Sequence, residues 1–158
     1  MLKIGDKAPL SVGSYEVGVG KVSLKDYLGK WLVVYFYPKD DTPGCTVEAK
    51  GFRDAHDDME DLGVVVIGVS KDDDKSHEKF VGKHGLNFPL WSDPEHKLMD
   101  AFSVWGKRQF MGREYMGTSR STFILDPKGK VAAVWEKVSP PGHAKEVLAT
   151  LKELQATS

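Results

Sequence analysis

Trp31-Leu-Val-Val-Tyr-Phe-Tyr-Pro-Lys-Asp-Asp-Thr-Pro-Gly-Cys-Thr-Val-Glu-Ala-Lys50 decides how the rest of the chain is read. From Trp31 to Tyr37 the residues are apolar or aromatic, without the alternation of a half-solvated strand. They predict a strand buried on both faces. Pro38 to Pro43 is turn-rich. Thr42 suits a helix N-cap and Pro43 the first helical position. Val47, Phe52, Ala55 and Met59 then recur at helical spacing, which predicts a helix over 43–61 with those four inward. Gly51 weakens that helix without ending it. Val64–Ser70 is a second buried strand. Strand, helix and strand make a βαβ unit and hence a parallel pair.

Upstream, residues 1–10 read as extended. Gly13, Gly18 and Gly20 among Val12, Tyr15, Val17, Val19 and Val22 suggest a short hairpin. Gly20-Lys21 is followed by Val22, so no phosphate loop is present. Ser23–Gly29 is a helical turn or two. Downstream, helices are expected over Asp72–His84, with Phe80 and Val81 inward and Gly85 as cap, and over Pro94–Phe102. Phe88–Trp91 reads as an edge strand because of Pro89. Gly106–Gly117 is glycine-broken, and Phe110 and Met111 are placed at the mouth of a pocket. Ser121–Asp126 and Val131–Glu136 form a hairpin around Pro127-Lys-Gly129. His143–Leu154 is a terminal helix. The fold class is α/β: one domain over residues 1–158, a central mixed sheet with helices on both faces.

Composition narrows the function. The chain has 158 residues, 41% hydrophobic and 28% charged, with a net charge of −1. Neither nucleic acid nor a membrane surface is expected as an electrostatic partner. No apolar run approaches the roughly 20 residues that span a bilayer, and no signal-like segment opens the chain, so the expected location is cytoplasmic. The single cysteine, Cys45, rules out an intramolecular disulfide.

Cys45 is the third residue of the expected helix. A first-turn side chain leans back toward unpaired N–H groups and the positive end of the dipole, which favour thiolate. Gly44 removes bulk beside the sulfur and admits a substrate. Thioredoxin-type dithiol exchange is excluded because there is no Cys-x-x-Cys. A cysteine hydrolase needs a histidine base, but His56, His77, His84, His96 and His143 sit mostly among charged residues and read as exposed, His77 and His84 as a surface pair. No ligand set surrounds Cys45, so neither metal nor cofactor is implied. What remains is a thiolate that attacks a peroxide and becomes a sulfenic acid. Such a site needs a hydroxyl and a guanidinium near the sulfur. Thr42 and Arg120 are the candidates.

Pro38-x3-Thr42-x2-Cys45 resembles the peroxiredoxin signature. Tyr35–Glu48 and Arg120-Ser-Thr-Phe-Ile-Leu-Asp126 resemble the peroxiredoxin Q, or bacterioferritin comigratory protein, branch. The similarity runs from about Gly5 to the terminal helix. It implies a thioredoxin-like fold and reduction of hydrogen peroxide and organic hydroperoxides, with Cys45 as peroxidatic cysteine. Pro38 would shield the sulfur, Thr42 would bind peroxide, and Arg120 would hold thiolate and peroxide. Glu48 would orient the arginine, unless it is simply an exposed helix carboxylate.

The chain departs from that branch in one respect. The positions where members carry a resolving cysteine hold Lys50 and Val81. Either the chain is a natural one-cysteine enzyme or a resolving cysteine has been replaced. In both cases an external thiol must reduce Cys45: thioredoxin, glutaredoxin with glutathione, or another small thiol. The alternative is a redox sensor that passes oxidation of Cys45 to a partner. A monomer is expected, with Trp91, Trp105 and Phe110 as exposed aromatics that would permit a weak dimer.

Overall fold

A computed structural model describes residues 1–11, 15–16 and 21–157. The strands are β1 (Tyr15–Glu16), β2 (Lys21–Val22), β3 (Trp31–Phe36), β4 (Val64–Ser70), β5 (Leu90–Ser92), β6 (Trp105–Phe110), β7 (Arg113–Thr118), β8 (Ser121–Leu125) and β9 (Val131–Trp135). The helices are α1 (Pro43–Asp61), α2 (Asp74–His84), α3 (Lys97–Ala101) and α4 (His143–Ala156), with a 3-10 turn at Leu24–Tyr27.

Five strands form the central sheet in the order β5-β4-β3-β8-β9. β3 pairs parallel with β4 and antiparallel with β8, so the sheet is mixed and its middle strand is the quoted one. That strand is buried on both faces. Val33, Tyr35 and Tyr37 join a core with Ala49, Phe52 and Met59 of α1, Phe80 of α2, and Val147 and Leu151 of α4. Leu32, Val34 and Phe36 face the other core, with Leu24, Leu98, Met99 and Phe102. Each such side chain contributes about 1.5–3 kcal/mol when fully buried, so a polar residue on β3 has no solvated face to occupy.

The structure corrects several expectations. Val47 is 46% exposed, and the inward stripe of α1 holds Cys45, Glu48 and Ala49 in its place. Trp91 is buried, and Trp105 stacks on His96 with 3.7 Å between ring centroids. β5 starts two residues later than expected, at Leu90, because Pro89 offers the sheet only its carbonyl, which accepts from Gly68 N at 3.2 Å. α3 is shorter than the expected 94–102. His96 is left-handed (φ 60°), and the Asp93 carboxylate accepts from the N–H groups of Leu98 (3.3 Å) and Met99 (2.9 Å), so the helix begins only at Lys97. Residues 1–10 hold one bridge, Lys7 to Lys130, instead of a strand. Gly106–Gly117 is an ordered antiparallel hairpin, β6–β7. β1 and β2 pair as a hairpin, but Val12, Gly13, Val17, Gly18, Val19 and Gly20 lie outside the described residues. No helix among the described residues is long and apolar enough to cross a membrane.

Candidate active site

Three connections bring the candidate residues together. The β3–β8 register pairs Phe36 with Ser121, which sets Arg120 beside the end of β3. Val138 N holds the Arg120 carbonyl at 3.1 Å. The chain leaves β3 through Tyr37, turns at Pro38–Asp41, and enters α1 with Thr42 as extended N-cap and Pro43 at the first position. Cys45 thus falls in the first turn, 1% exposed, over the C-terminal end of the central strand.

Arg120 Nη1 stands 3.4 Å from Cys45 Sγ and 2.8 Å from Glu48 Oε1. One guanidinium therefore holds the sulfur and a carboxylate three residues further along the helix. Gly44 makes this approach possible. A Cβ built there would sit 3.1 Å from Arg120 Nη2 and 3.5 Å from Pro140. The space that was expected to admit substrate is filled by the guanidinium. Thr42 does not cap with its side chain; its hydroxyl donates to the Lys39 carbonyl at 2.9 Å. The first-turn N–H groups are left untaken by the cap, and the hydroxyl oxygen keeps lone pairs to accept from a hydroperoxide.

Glu48 is a buried carboxyl, not the exposed one allowed for in the sequence. Burial pushes its pKa up to about 7, against the pull of Arg120. Its Oε2 has no hydrogen-bond partner, nor has the hydroxyl of Tyr35. Burial works against the charge on Arg120, yet Cys45 and Glu48 outweigh it and hold the guanidinium above its ordinary range. His143, also buried, pairs Nε2 with Thr122 Oγ1 at 2.8 Å. Burial, helped by the Arg120 charge, pushes its pKa down to about 4.

A second buried network holds the loop itself. Asp40 accepts from Tyr37 Oη (2.6 Å), Ser76 Oγ (2.8 Å) and His77 Nδ1 (2.7 Å). Its N–H donates to Asp72 Oδ2 at 2.7 Å. His77 Nε2 meets the Trp91 carbonyl at 3.0 Å. Both ring nitrogens of His77 therefore face oxygen acceptors, an arrangement that favours the doubly protonated ring. Burial opposes that charge, but the bond and charge of Asp40 prevail and raise the His77 pKa. Asp41, left-handed at φ 58°, is held by Lys83 (2.8 Å) and His84 (3.0 Å). His77 and His143 are thus buried, contrary to the reading of exposed rings. One signal was available: His77 stands three residues from Phe80, and His143 four from Val147, each on a buried helical stripe.

Pro38 and Arg120 open onto a cavity of about 1140 Å³, walled in part by Arg108, Tyr115 and Met116 of the β6–β7 hairpin. Phe110 and Met111, expected at its mouth, are 67% and 88% exposed at the hairpin tip. Lys50 is exposed and Val81 half-buried. Among the described residues, one potential metal group occurs, His56, Asp57 and Glu60. It lies about three turns along α1 from Cys45, away from the site.

A family model described as the AhpC/TSA family matches residues 4–134. The chain is 48% identical over 153 residues to Peroxiredoxin Bcp of Bacillus subtilis, with 97% of each chain covered. It is 42% identical over 152 residues to Peroxiredoxin Bcp of Escherichia coli K12, covering 96% of this chain and 97% of that one. Among solved structures, a cysteine-to-serine mutant of Xylella fastidiosa PrxQ superposes with TM-score 0.92 at 38% identity, covering 98% of each chain. Xanthomonas campestris bacterioferritin comigratory protein, described for its alkyl peroxide reduction activity, superposes with TM-score 0.84 at 40% identity, over 92% of this chain and 98% of that one.

Proposed function

Since the chain belongs to the AhpC/TSA family, within its Bcp/peroxiredoxin Q group, we propose that it is a one-cysteine, thiol-dependent peroxidase acting on hydrogen peroxide and organic hydroperoxides in antioxidant defence. The Cys45 thiolate attacks one peroxide oxygen. The O–O bond breaks, Cys45 becomes a sulfenic acid, and the other oxygen leaves and takes a proton as water or alcohol. Thr42 accepts from the peroxide O–H. The first-turn N–H groups and Arg120 stabilise the charge passing from sulfur to the leaving oxygen. Pro38 limits access from the cavity side, and Glu48 positions Arg120. The observation that carries this reading is the single guanidinium shared at hydrogen-bonding distance by Cys45 and Glu48.

The sulfenic acid must be recycled by an external thiol, because Cys45 is the only cysteine. A thioredoxin, a glutaredoxin with glutathione and a small thiol all have the required chemistry. A cytoplasmic location follows from that dependence, since thiols are kept reduced there. The monomeric reading is supported by the packing of Trp91 and Trp105, which removes two of the three aromatics that would have served a dimer.

The test is peroxide consumption with excess dithiothreitol. Turnover is expected for the native chain and none for Cys45→Ser. Sustained turnover in the serine variant would refute the assignment. The missing second thiol also favours the sensor reading, which predicts one round of Cys45 oxidation and no recycling by any thiol.

A further inference from the structure

The 1140 Å³ cavity, which reaches the site through Pro38 and through Arg120, the partner of Cys45, is far larger than hydrogen peroxide requires, and its charge is one-sided. Lys39, Lys71, Arg108 and Lys137 line it together with Arg120, against one carboxylate, Glu136. The four outer cations are exposed. None forms an ion pair with a carboxylate of the described residues. Arg108 donates to Ser119 Oγ at 2.6 Å, and the Lys71 ammonium lies 5.5 Å from the centre of the Trp105 ring. Both cations are thus placed by neutral partners. The chain as a whole carries −1, so the cluster is local and does not reflect a basic protein. A concave wall of unpaired cations concentrates anions.

We propose that this cavity docks the reductant, a low-molecular-weight thiol bearing carboxylates, and so selects it over neutral thiols. The proposal rests on the peroxidase reading, because only a sulfenic acid at Cys45 calls for such a molecule. The attacking species is itself an anion, the thiolate. The same cations that hold the carboxylates therefore also favour the reactive form of the incoming sulfur. In the first step the thiolate sulfur forms an S–S bond to the Cys45 sulfur, the S–O bond breaks, and the hydroxide leaves as water, taking one proton from solvent. In the second step another thiolate attacks the mixed disulfide at the reductant's sulfur. It releases Cys45 as thiolate and a low-molecular-weight disulfide, completing a two-electron reduction.

The test compares glutathione with its dimethyl ester, which has the same thiol and no free carboxylates. Cys45 is first oxidised by one equivalent of hydrogen peroxide, followed by mass as the gain of one oxygen. Absence of that gain defeats the peroxidase reading itself. Given the gain, glutathione is expected to reduce the sulfenic acid about tenfold faster than the ester at low ionic strength, with the advantage shrinking as salt is added. Lys71→Gln combined with Lys137→Gln should remove most of that advantage and leave the oxidation step and the ester rate unchanged. Equal rates for glutathione and ester in the native chain overturn the proposal. So does a double variant that slows both reductants alike, or a chain recycled by a dithiol protein but by neither glutathione form.

Discussion

Two ion pairs, one buried and one half-buried at its arginine, flank the loop that carries Cys45, and they are built on opposite principles. Asp40–His77 is saturated. Its carboxylate accepts three hydrogen bonds, and both imidazole nitrogens are engaged. Arg120–Glu48 is left incomplete. Glu48 Oε2 has no partner, and the guanidinium divides itself between a carboxylate and a sulfur. A buried polar group without a partner costs about 1–3 kcal/mol, and fold stability alone gives no reason to accept that cost. The saturated pair fixes the loop, whereas the unsaturated pair leaves Glu48 Oε2 unpartnered and shares its guanidinium with the Cys45 sulfur.

The contrast can be broken by mutation. The largest effect is expected from Asp40→Ala, which strands the His77 charge in the core. About 3–5 kcal/mol of stability should be lost, read by urea denaturation. A loss below 1 kcal/mol would mean that the network is not structural. Next is Arg120→Ala. It should slow Cys45 oxidation by peroxide about 10²–10³-fold and slow alkylation at pH 6, with little change in the urea midpoint. If both variants lose stability and rate in the same proportion, the two pairs are not distinct. Gly44→Ala is smaller. The added methyl displaces Arg120 by a few tenths of an ångström, and a fall in rate of about tenfold is expected, with no gain from the better helix former.

The subtlest probe is pH. Glu48 has a folded-state pKa of about 7 against an ordinary 4.5. Its proton is held more tightly in the fold, so its stabilising contribution is full below 4.5 and lost as pH rises through 7. His143 is the reverse, at about 4 against 6.5. Its contribution is full above 6.5 and lost as pH falls through 4. Glu48→Gln should therefore remove a decline in stability toward neutral pH, and His143→Gln a decline toward acid. Unfolding free energies at pH 4.5, 5.5 and 7 decide this; unchanged slopes would show that neither group titrates as its burial requires.

Much of this was legible in the chain. The unbroken apolar run Trp31–Tyr37 marks a strand buried on both sides, and Thr42-Pro43 marks the start of α1 to the residue. Cys45 owes its place to that start alone. Glu48, His77 and His143 were harder because residue type and position disagree: each is ionisable, yet each lies on an apolar helical stripe, four residues before Phe52, three before Phe80 and four before Val147. Periodicity should have outranked polarity there, since a stripe position is buried whatever occupies it. Val47 shows the converse, an apolar residue off the stripe and exposed. Asp40 could not be found this way, because its partners come from separate parts of the chain: Tyr37 after β3, Asp72 after β4, and Ser76 and His77 of α2.

The contact between Arg120 and Cys45 bridges 75 positions of chain. During synthesis the cysteine leaves the ribosome long before the strand that delivers its arginine exists. A nascent or truncated chain thus carries Cys45 without the guanidinium that touches it in the fold. If Arg120 has the role proposed for it, speed toward peroxide is acquired only when β8 docks on β3, and the rate of Cys45 oxidation then reports that the sheet has closed.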